Sequence, residues 1–558
     1  MPLLSSILHP ACRQSLWRAL ALGCTTLALT ACGGGSGSDS GSVDPGSSAV
    51  TGVVNASLGS TGTADFGLAY RRHSYEFHWS ASPGATRYEL YEDPDGAGPL
   101  PEMQIGDAMT GTAYIYGLTK AHERVNASYR LRVCQDDQCT YKAGTVTPDI
   151  TRTFLFFEPG TDKIMGSWDS NTVALSADGK TLVIGAPQLQ LVVPPSAPPV
   201  ADNSAAYVFT RISPADPWFQ QARLQANNNR TPLCTDNRGG RWCPSSDFGS
   251  AIALSADGNT LAVGAKGETS NARGVNGDAS NTDALGAGAV YMFVRTDGAW
   301  SQQAYIKATT TPVRHNEWCA VYWATYPCGI QAFGQNLALS ADGNLLAVTG
   351  ANGTYSNVSD RPPEQNTPRA QAGAVYTYTR NATTWSHQAV LSASNSDGGD
   401  AFGSPLTLSG DGSTLAVTAK RESSNATGVN GNQQDNSEAN AGAVYVFAQN
   451  NGTWNQQAYV KVSQRIDLTR ASQFGLSTAL SRDGNTLASS AAGAAFVYVR
   501  NGGTWRPQAH MTAAAGPEEG FSFAQVIALS GDGNTLLATR LNDNPIYLFT
   551  RDNSVWRQ

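Results

Sequence analysis

The chain is 558 residues long, carries a formal net charge of -7, and has only 15% charged residues. That length leaves room for more than one domain, and the acidic balance excludes the basic footprint of a nucleic-acid binder. Its 57 glycines are joined by 9% aromatics, which speaks against disorder and for many short strands separated by turns.

Residues 1–32 read as an export signal. Arg13 and Arg18 supply the positive end, and residues 19–31 form an apolar run too short to span a bilayer. The run ends in Leu29-Thr30-Ala31-Cys32, which resembles the bacterial lipoprotein box. The resemblance implies that Cys32 is lipidated and becomes the first mature residue. Ordinary secretory cleavage near Ala31 is the plainer alternative. Residues 33–64 open with a Gly/Ser run, a tether of about 25–30 Å reach over ~25 disordered residues. In many such lipoproteins an Asp after the Cys retains the protein at the inner membrane. Gly33 stands there instead, so an outer-membrane lipoprotein, periplasmic or surface-exposed, is expected.

Nine cysteines are present. Cys12, Cys24 and Cys32 belong to the N-terminal segment. The others form three close pairs, Cys134/Cys139, Cys234/Cys243 and Cys319/Cys328, expected as local disulfides in an oxidising compartment.

Residues 65–149 alternate apolar and polar through Phe77-His78-Trp79, Tyr88-Glu89-Leu90-Tyr91, Tyr114-Ile115-Tyr116 and Tyr129-Arg130-Leu131-Arg132-Val133. The stretch resembles a fibronectin type III domain, a β-sandwich. The resemblance implies that Trp79 is the core tryptophan and that Tyr129 forms the tyrosine corner.

Residues 151–558 repeat one unit. Ser-x-Asp-Gly stands at Ser176, Ser255, Ser340, Ser409, Ser481 and Ser530, each followed by an aromatic strand and then Trp218, Trp300, Trp385, Trp454, Trp505 or Trp556. Gln-Ala follows at Gln221, Gln303, Gln388, Gln457 and Gln508. Each unit reads as four antiparallel strands, with Asp-Gly as a tight turn. The shortest spacing, Ser481 to Ser530, suits one propeller blade. The last unit stops at Trp556-Arg557-Gln558, before a fourth strand. Residues 153–157 are an unassigned alternating strand that can supply it and remove the open edge. The expected fold is all-β: a sandwich, then a six-bladed propeller.

Phe248-Gly249, Phe333-Gly334, Phe402-Gly403 and Phe474-Gly475, with Gly185-Ala186-Pro187, resemble the FG-GAP repeats of integrin α-subunit propellers and of bacterial surface proteins. Integrin propellers have seven blades against six here. Their calcium loops carry a ladder of carboxylates, whereas one Asp per turn cannot supply the six to eight oxygens that calcium takes.

Strand order puts the short turns on one face and the long connections on the other: 188–204, 227–247, 266–288, 309–332, 352–372 and 420–441. Loops on a rigid frame are where binding resides. Trp242, Trp318, Tyr322, Trp323 and Tyr326 surround the loop cysteines and are candidates for stacking on a sugar or anchoring a protein. The alternative is that each ring packs a small core under its own disulfide. Asn276, Asp278 and Asp283, and Asn430, Asn432 and Asp435, offer spaced oxygens that fit a calcium loop or an ordinary turn. Catalytic signatures are absent: no metal-binding histidine pair, nucleophile elbow or phosphate loop occurs. The reading is therefore not an enzyme, with no cofactor save calcium. It is a lipid-anchored envelope protein that binds or adheres to a protein or glycan through the long-loop face. The alternatives are a propeller enzyme acting on polysaccharide and a structural scaffold of an envelope complex.

Overall fold

The structure, a computed structural model, describes residues 61–63, 65–71, 74–96, 100–117, 124–142, 144–148, 172–187, 191–193, 202–213, 216–228, 235–237, 240–243, 245–284, 286–309, 332–350, 372–463, 473–491, 493–512, 523–540 and 546–558. Every regular element among them is a strand, and among these described residues no helix is long and apolar enough to cross a membrane.

Two four-stranded antiparallel sheets form an N-terminal module. One orders Thr61–Thr63, Phe66–Arg71, Ser74–Trp79 and Ala113–Gly117; the other orders Met103–Met109, Arg87–Asp93, Ser128–Gln135 and Gln138–Tyr141. Strict alternation along Ser74–Trp79 and Arg87–Asp93 turns every second side chain inward. Phe77, Trp79, Leu90, Tyr129 and Leu131 thus share one core. Cys134 and Cys139 are joined across the last hairpin. The tyrosine-corner expectation is corrected. Tyr129 gives its hydroxyl to buried Glu92 at 2.7 Å rather than to main chain, and Arg124 donates to the same carboxylate oxygen at 2.8 Å. A buried charge needs such partners, and this one captures the tyrosine.

Six further four-stranded sheets follow, each antiparallel with its strands in chain order. Sheet I comprises Val173–Leu175, Thr181–Ala186, Ala205–Thr210 and Phe219–Leu224; sheet II comprises Phe248–Leu254, Thr260–Ala265, Ala289–Thr296 and Ala299–Ile306. Sheet III comprises Leu337–Leu339, Leu345–Gly350, Ala374–Asn381 and Thr384–Leu391; sheet IV comprises Phe402–Leu408, Thr414–Ala419, Ala443–Asn450 and Thr453–Val460. Sheet V comprises Thr478–Leu480, Thr486–Ala491, Ala494–Asn501 and Thr504–Thr512; sheet VI comprises Phe523–Leu529, Thr535–Arg540, Ile546–Asp552 and Val555–Arg557. The expectation that the last unit lacks a fourth strand is corrected: Val555–Arg557 pairs with Thr550, Arg551 and Asp552. It is short, and among the described residues it leaves the outer edge of the preceding strand uncovered from Ile546 to Phe549. Residues 153–157 lie outside the described residues.

The sheets stack face to face in chain order, and five apolar layers join I to II through V to VI. The layer on the far side of sheet I contains the N-terminal module instead.

The repeated residues explain the stacking. Each Ser-x-Asp-Gly is a clasp: in sheet II, Ser255 donates to Asp257 at 2.5 Å and accepts the Thr260 N–H at 2.9 Å. The same pair of bonds recurs in the other five sheets. In sheets I to V the ladder between third and fourth strands shifts by one residue, so the Gln of Gln-Ala falls out of register. A bulge re-aims its side chain. Gln221, Gln303, Gln388, Gln457 and Gln508 each accept the indole N–H of the next sheet's Trp at 2.8 to 3.0 Å. Phe-Gly has a related cause. A Cβ on Gly185 would lie 1.9 Å from the Gly249 carbonyl, and one on Gly264 would lie 2.1 Å from that of Gly334. In sheets II and III the Gly of Phe-Gly therefore rests directly on the Gly-Ala of the sheet before it; in sheets IV and V the corresponding Gly403 and Gly475 rest on Thr349 and Thr418.

Candidate functional site

The clasps, the Trp–Gln bonds and the Arg295–Asn259 type contacts all occupy the short-turn face. Their polar atoms are engaged in holding turns and neighbouring sheets. The long connections leave from the opposite ends of the strands.

Two loops there are built alike. After the second strand of sheet II comes Glu268-Thr269-Ser270-Asn271-Ala272-Arg273-Gly274-Val275-Asn276-Gly277; after that of sheet IV comes Glu422-Ser423-Ser424-Asn425-Ala426-Thr427-Gly428-Val429-Asn430-Gly431. Glu268 accepts from Lys307 Nζ at 2.6 Å, and Glu422 from Lys461 Nζ at 2.7 Å, all four side chains being buried. Asn228 and Asn395 bridge each carboxylate to Tyr291 and Tyr445. Burial holds both lysines below their usual range, and the paired glutamates oppose that drop.

The proposed calcium ligands do not converge. Asn276 and Asn430 turn their amide oxygens to the N–H groups of Tyr305 and Tyr459, at 2.9 Å each. Asp278 accepts from the Ser280 N–H, Asp283 from Asn271, and Asn432 from the Gln434 N–H. Asp435 accepts from Ser437 and from the Asn425 N–H. Their oxygens close the loops that carry them. Among the described residues, the one group of three metal-ligating acidic, histidine or cysteine side chains is Glu89 with Cys134 and Cys139, whose sulfurs are joined. The residues do not fit calcium.

Trp242 lies in Gly240–Cys243, the central strand of a small sheet with Leu191–Val193 and Thr235–Asn237. Two long connections thus fold onto each other, Trp242 pairing with Val192 and Thr235 along the main chain. Its side chain lies outside the described residues, as do Trp318, Tyr322, Trp323, Tyr326, Cys234, Cys319, Cys328 and Cys32.

Sequence reasoning missed the carboxyl groups at the ends of these loops. Asp202, buried ahead of the third strand of sheet I, accepts from the N–H groups of Ser204 and Ser246 at 2.9 and 2.8 Å. Ser245 donates to it at 3.4 Å and accepts the Asp247 N–H at 3.0 Å. Asp247, with a φ of 53° ahead of Phe248-Gly249, has its carboxyl pushed up to about 6. Burial is the main cause and the Asp202 charge adds to it, against Lys266 and Ser245. Asp400 is likewise raised to about 6 by burial, with the charges of Glu422 and Asp397 adding. A carboxyl with that midpoint exchanges its proton near neutrality, as a general acid or base must. No motif marks these residues, because the sheets gather them from separate connections.

No family model and no curated protein matches the chain. Among solved structures it is similar to a candidate 6-phosphogluconolactonase from Bacteroides fragilis, at 12% identity and a TM-score of 0.37, over 85% of this chain and 94% of that one. A second candidate 6-phosphogluconolactonase, from Bacteroides uniformis, matches at 11% identity and a TM-score of 0.37, over 77% and 90%. A protein from Lactobacillus plantarum matches at 13% identity and a TM-score of 0.39, over 84% and 93%. Two of these neighbours are candidate lactonases, which stands against the expectation that the chain is not an enzyme. At such identities and TM-scores no reaction or residue role passes across. Among its described residues the chain is all-β, with successive four-stranded antiparallel sheets.

Proposed function

We propose that this chain is an exported, lipid-anchored propeller that acts on a polysaccharide through its long-loop face, with Asp247 as the proton-transferring group. The observation that carries the reading is the Asp247 carboxyl, raised by burial and by the Asp202 charge, with Ser245 bridging Asp202 to the Asp247 main-chain N–H, on the face that holds the long connections. In this reading the six sheets are blades of FG-GAP type, with the fibronectin type III-like sandwich filling the far side of sheet I. The Phe-Gly on Gly-Ala contact and the two-sheet core of the N-terminal module support those assignments.

The test is turnover of a panel of envelope and plant polysaccharides across pH 4 to 8, read as new reducing ends. Turnover should show a limb near pH 6 and fall about 100-fold or more in Asp247→Asn. Binding without turnover would leave the adhesion reading in its place. Anchoring is tested separately: Cys32→Ala should release the protein from membranes, and unchanged fractionation would remove the lipid anchor from the proposal.

A further inference from the structure

In sheets II, III, IV and VI four corresponding positions enter the layer shared with the preceding sheet, and in sheet V three of them do. In sheet III they are Leu346, Val348, Tyr378 and Trp385; in sheet IV they are Leu415, Val417, Phe447 and Trp454. The indole N–H of each tryptophan then reaches the preceding sheet's bulged glutamine. In sheet I the same positions are Leu182, Ile184, Phe209 and Trp218. All are at most 4% exposed, in one apolar cluster with the core of the N-terminal module. The polar contact is replaced as well. Asn126, between buried Val125 and Ala127, accepts the Trp218 N–H at 3.0 Å and donates back to the Trp218 carbonyl. One side-chain amide thus pairs with both main-chain groups of a single residue, as a strand neighbour would.

We infer that the N-terminal module serves sheet I as the preceding sheet serves each of the others. It is a built-in wall of the propeller rather than a spacer on the tether. Its docking holds the strand Ala205–Thr210, which contributes Phe209 to the cluster and follows directly on Asp202–Ser204. The module therefore sets the rigidity of the Asp202 edge of the long-loop face. This holds whether or not the face turns over a polysaccharide.

The test is hydrogen exchange on the full chain carrying Asn126→Ala. Deleting a reciprocal pair of half-buried bonds should speed exchange along Thr181–Ala186 and Ala205–Thr210 by roughly tenfold or more. The strands Thr414–Ala419 and Ala443–Asn450 of sheet IV serve as the internal control and should keep their protection. Exchange along Arg87–Asp93 reports whether the module itself stays folded. Loss confined to sheet I, with or without loss in the module, supports the inference. Protection of sheet I unchanged from the parent chain, or lost equally in sheet IV, overturns it.

Discussion

Asp400 is 6% exposed, with the charges of Asp397, Glu422 and Lys461 around it. Its carboxyl titrates near 6 against an ordinary 3.8, so the folded chain keeps a proton that the unfolded chain has released between about pH 4 and 6. Stability from this group is therefore present at low pH and lost as pH rises through 6. The displacement is worth at most about 3 kcal/mol. Asp400→Asn should raise the melting temperature at pH 8 and flatten the decline between pH 4 and 6; an unchanged profile would show that Asp400 ionises freely. The neighbouring Lys461–Glu422 pair behaves differently. Lys461→Met strands a buried carboxylate and should cost about 3–5 kcal/mol in denaturant unfolding. Adding Glu422→Gln should recover much of that loss, since the pair as a unit repays its desolvation poorly. Full additivity of the two changes would contradict the coupling.

At the scale of the element, the alternation of apolar and polar residues is written locally, which is why the strands, turns and faces of the repeat were legible in the sequence. What sits beside each strand from another sheet was not. Nothing in the sequence says that Gln303 bulges out of its ladder to meet Trp385, or that Tyr129 turns to Glu92. The candidate site suffered most. Asp202, Ser245 and Asp247 lie on one connection and on the end of another, and only the stacking of sheets I and II brings them together. By contrast, the oxygens of Asp278 and Asp435, which stood out by composition, close their own loops. The Phe-Gly and Gly-Ala signatures have a sharp consequence. Gly264→Ala would put a Cβ 2.1 Å from the Gly334 carbonyl, a clash with backbone that no rotamer relieves. It should destabilise by about 1–3 kcal/mol, measured by chemical denaturation. Parent-like stability would mean that sheets II and III can slide apart at no cost.

At the scale of the whole molecule, the six sheets differ in how their outer edges are finished. In sheets II to V the fourth strand runs alongside nearly all of the third; for example, the pairing from Ala494 to Asn501 against Thr504 to Thr512 is continuous save for its bulge. In sheet VI the fourth strand reaches only Thr550. Tyr547 and Phe549 are nonetheless 5% and 1% exposed, so the apolar face of that strand is covered while the main-chain edge beside it has no described partner. An open edge of that length carries unpaired N–H and C=O groups that a folded chain covers or blunts. Residues 153–157, which alternate Thr153-Phe154-Leu155-Phe156-Phe157, are the segment proposed to pair there and to join the start of the repeat region to its end. Leu155→Pro removes one main-chain donor and fixes a backbone angle unsuited to a paired strand, while leaving every residue of the six sheets intact. If the segment closes the molecule, the substitution should lower the midpoint of unfolding by several degrees. It should also speed hydrogen exchange along Ile546–Asp552 ahead of the strands of sheet III. Exchange along Ile546–Asp552 indistinguishable from the parent chain would assign that edge to another partner and end the shared-strand proposal.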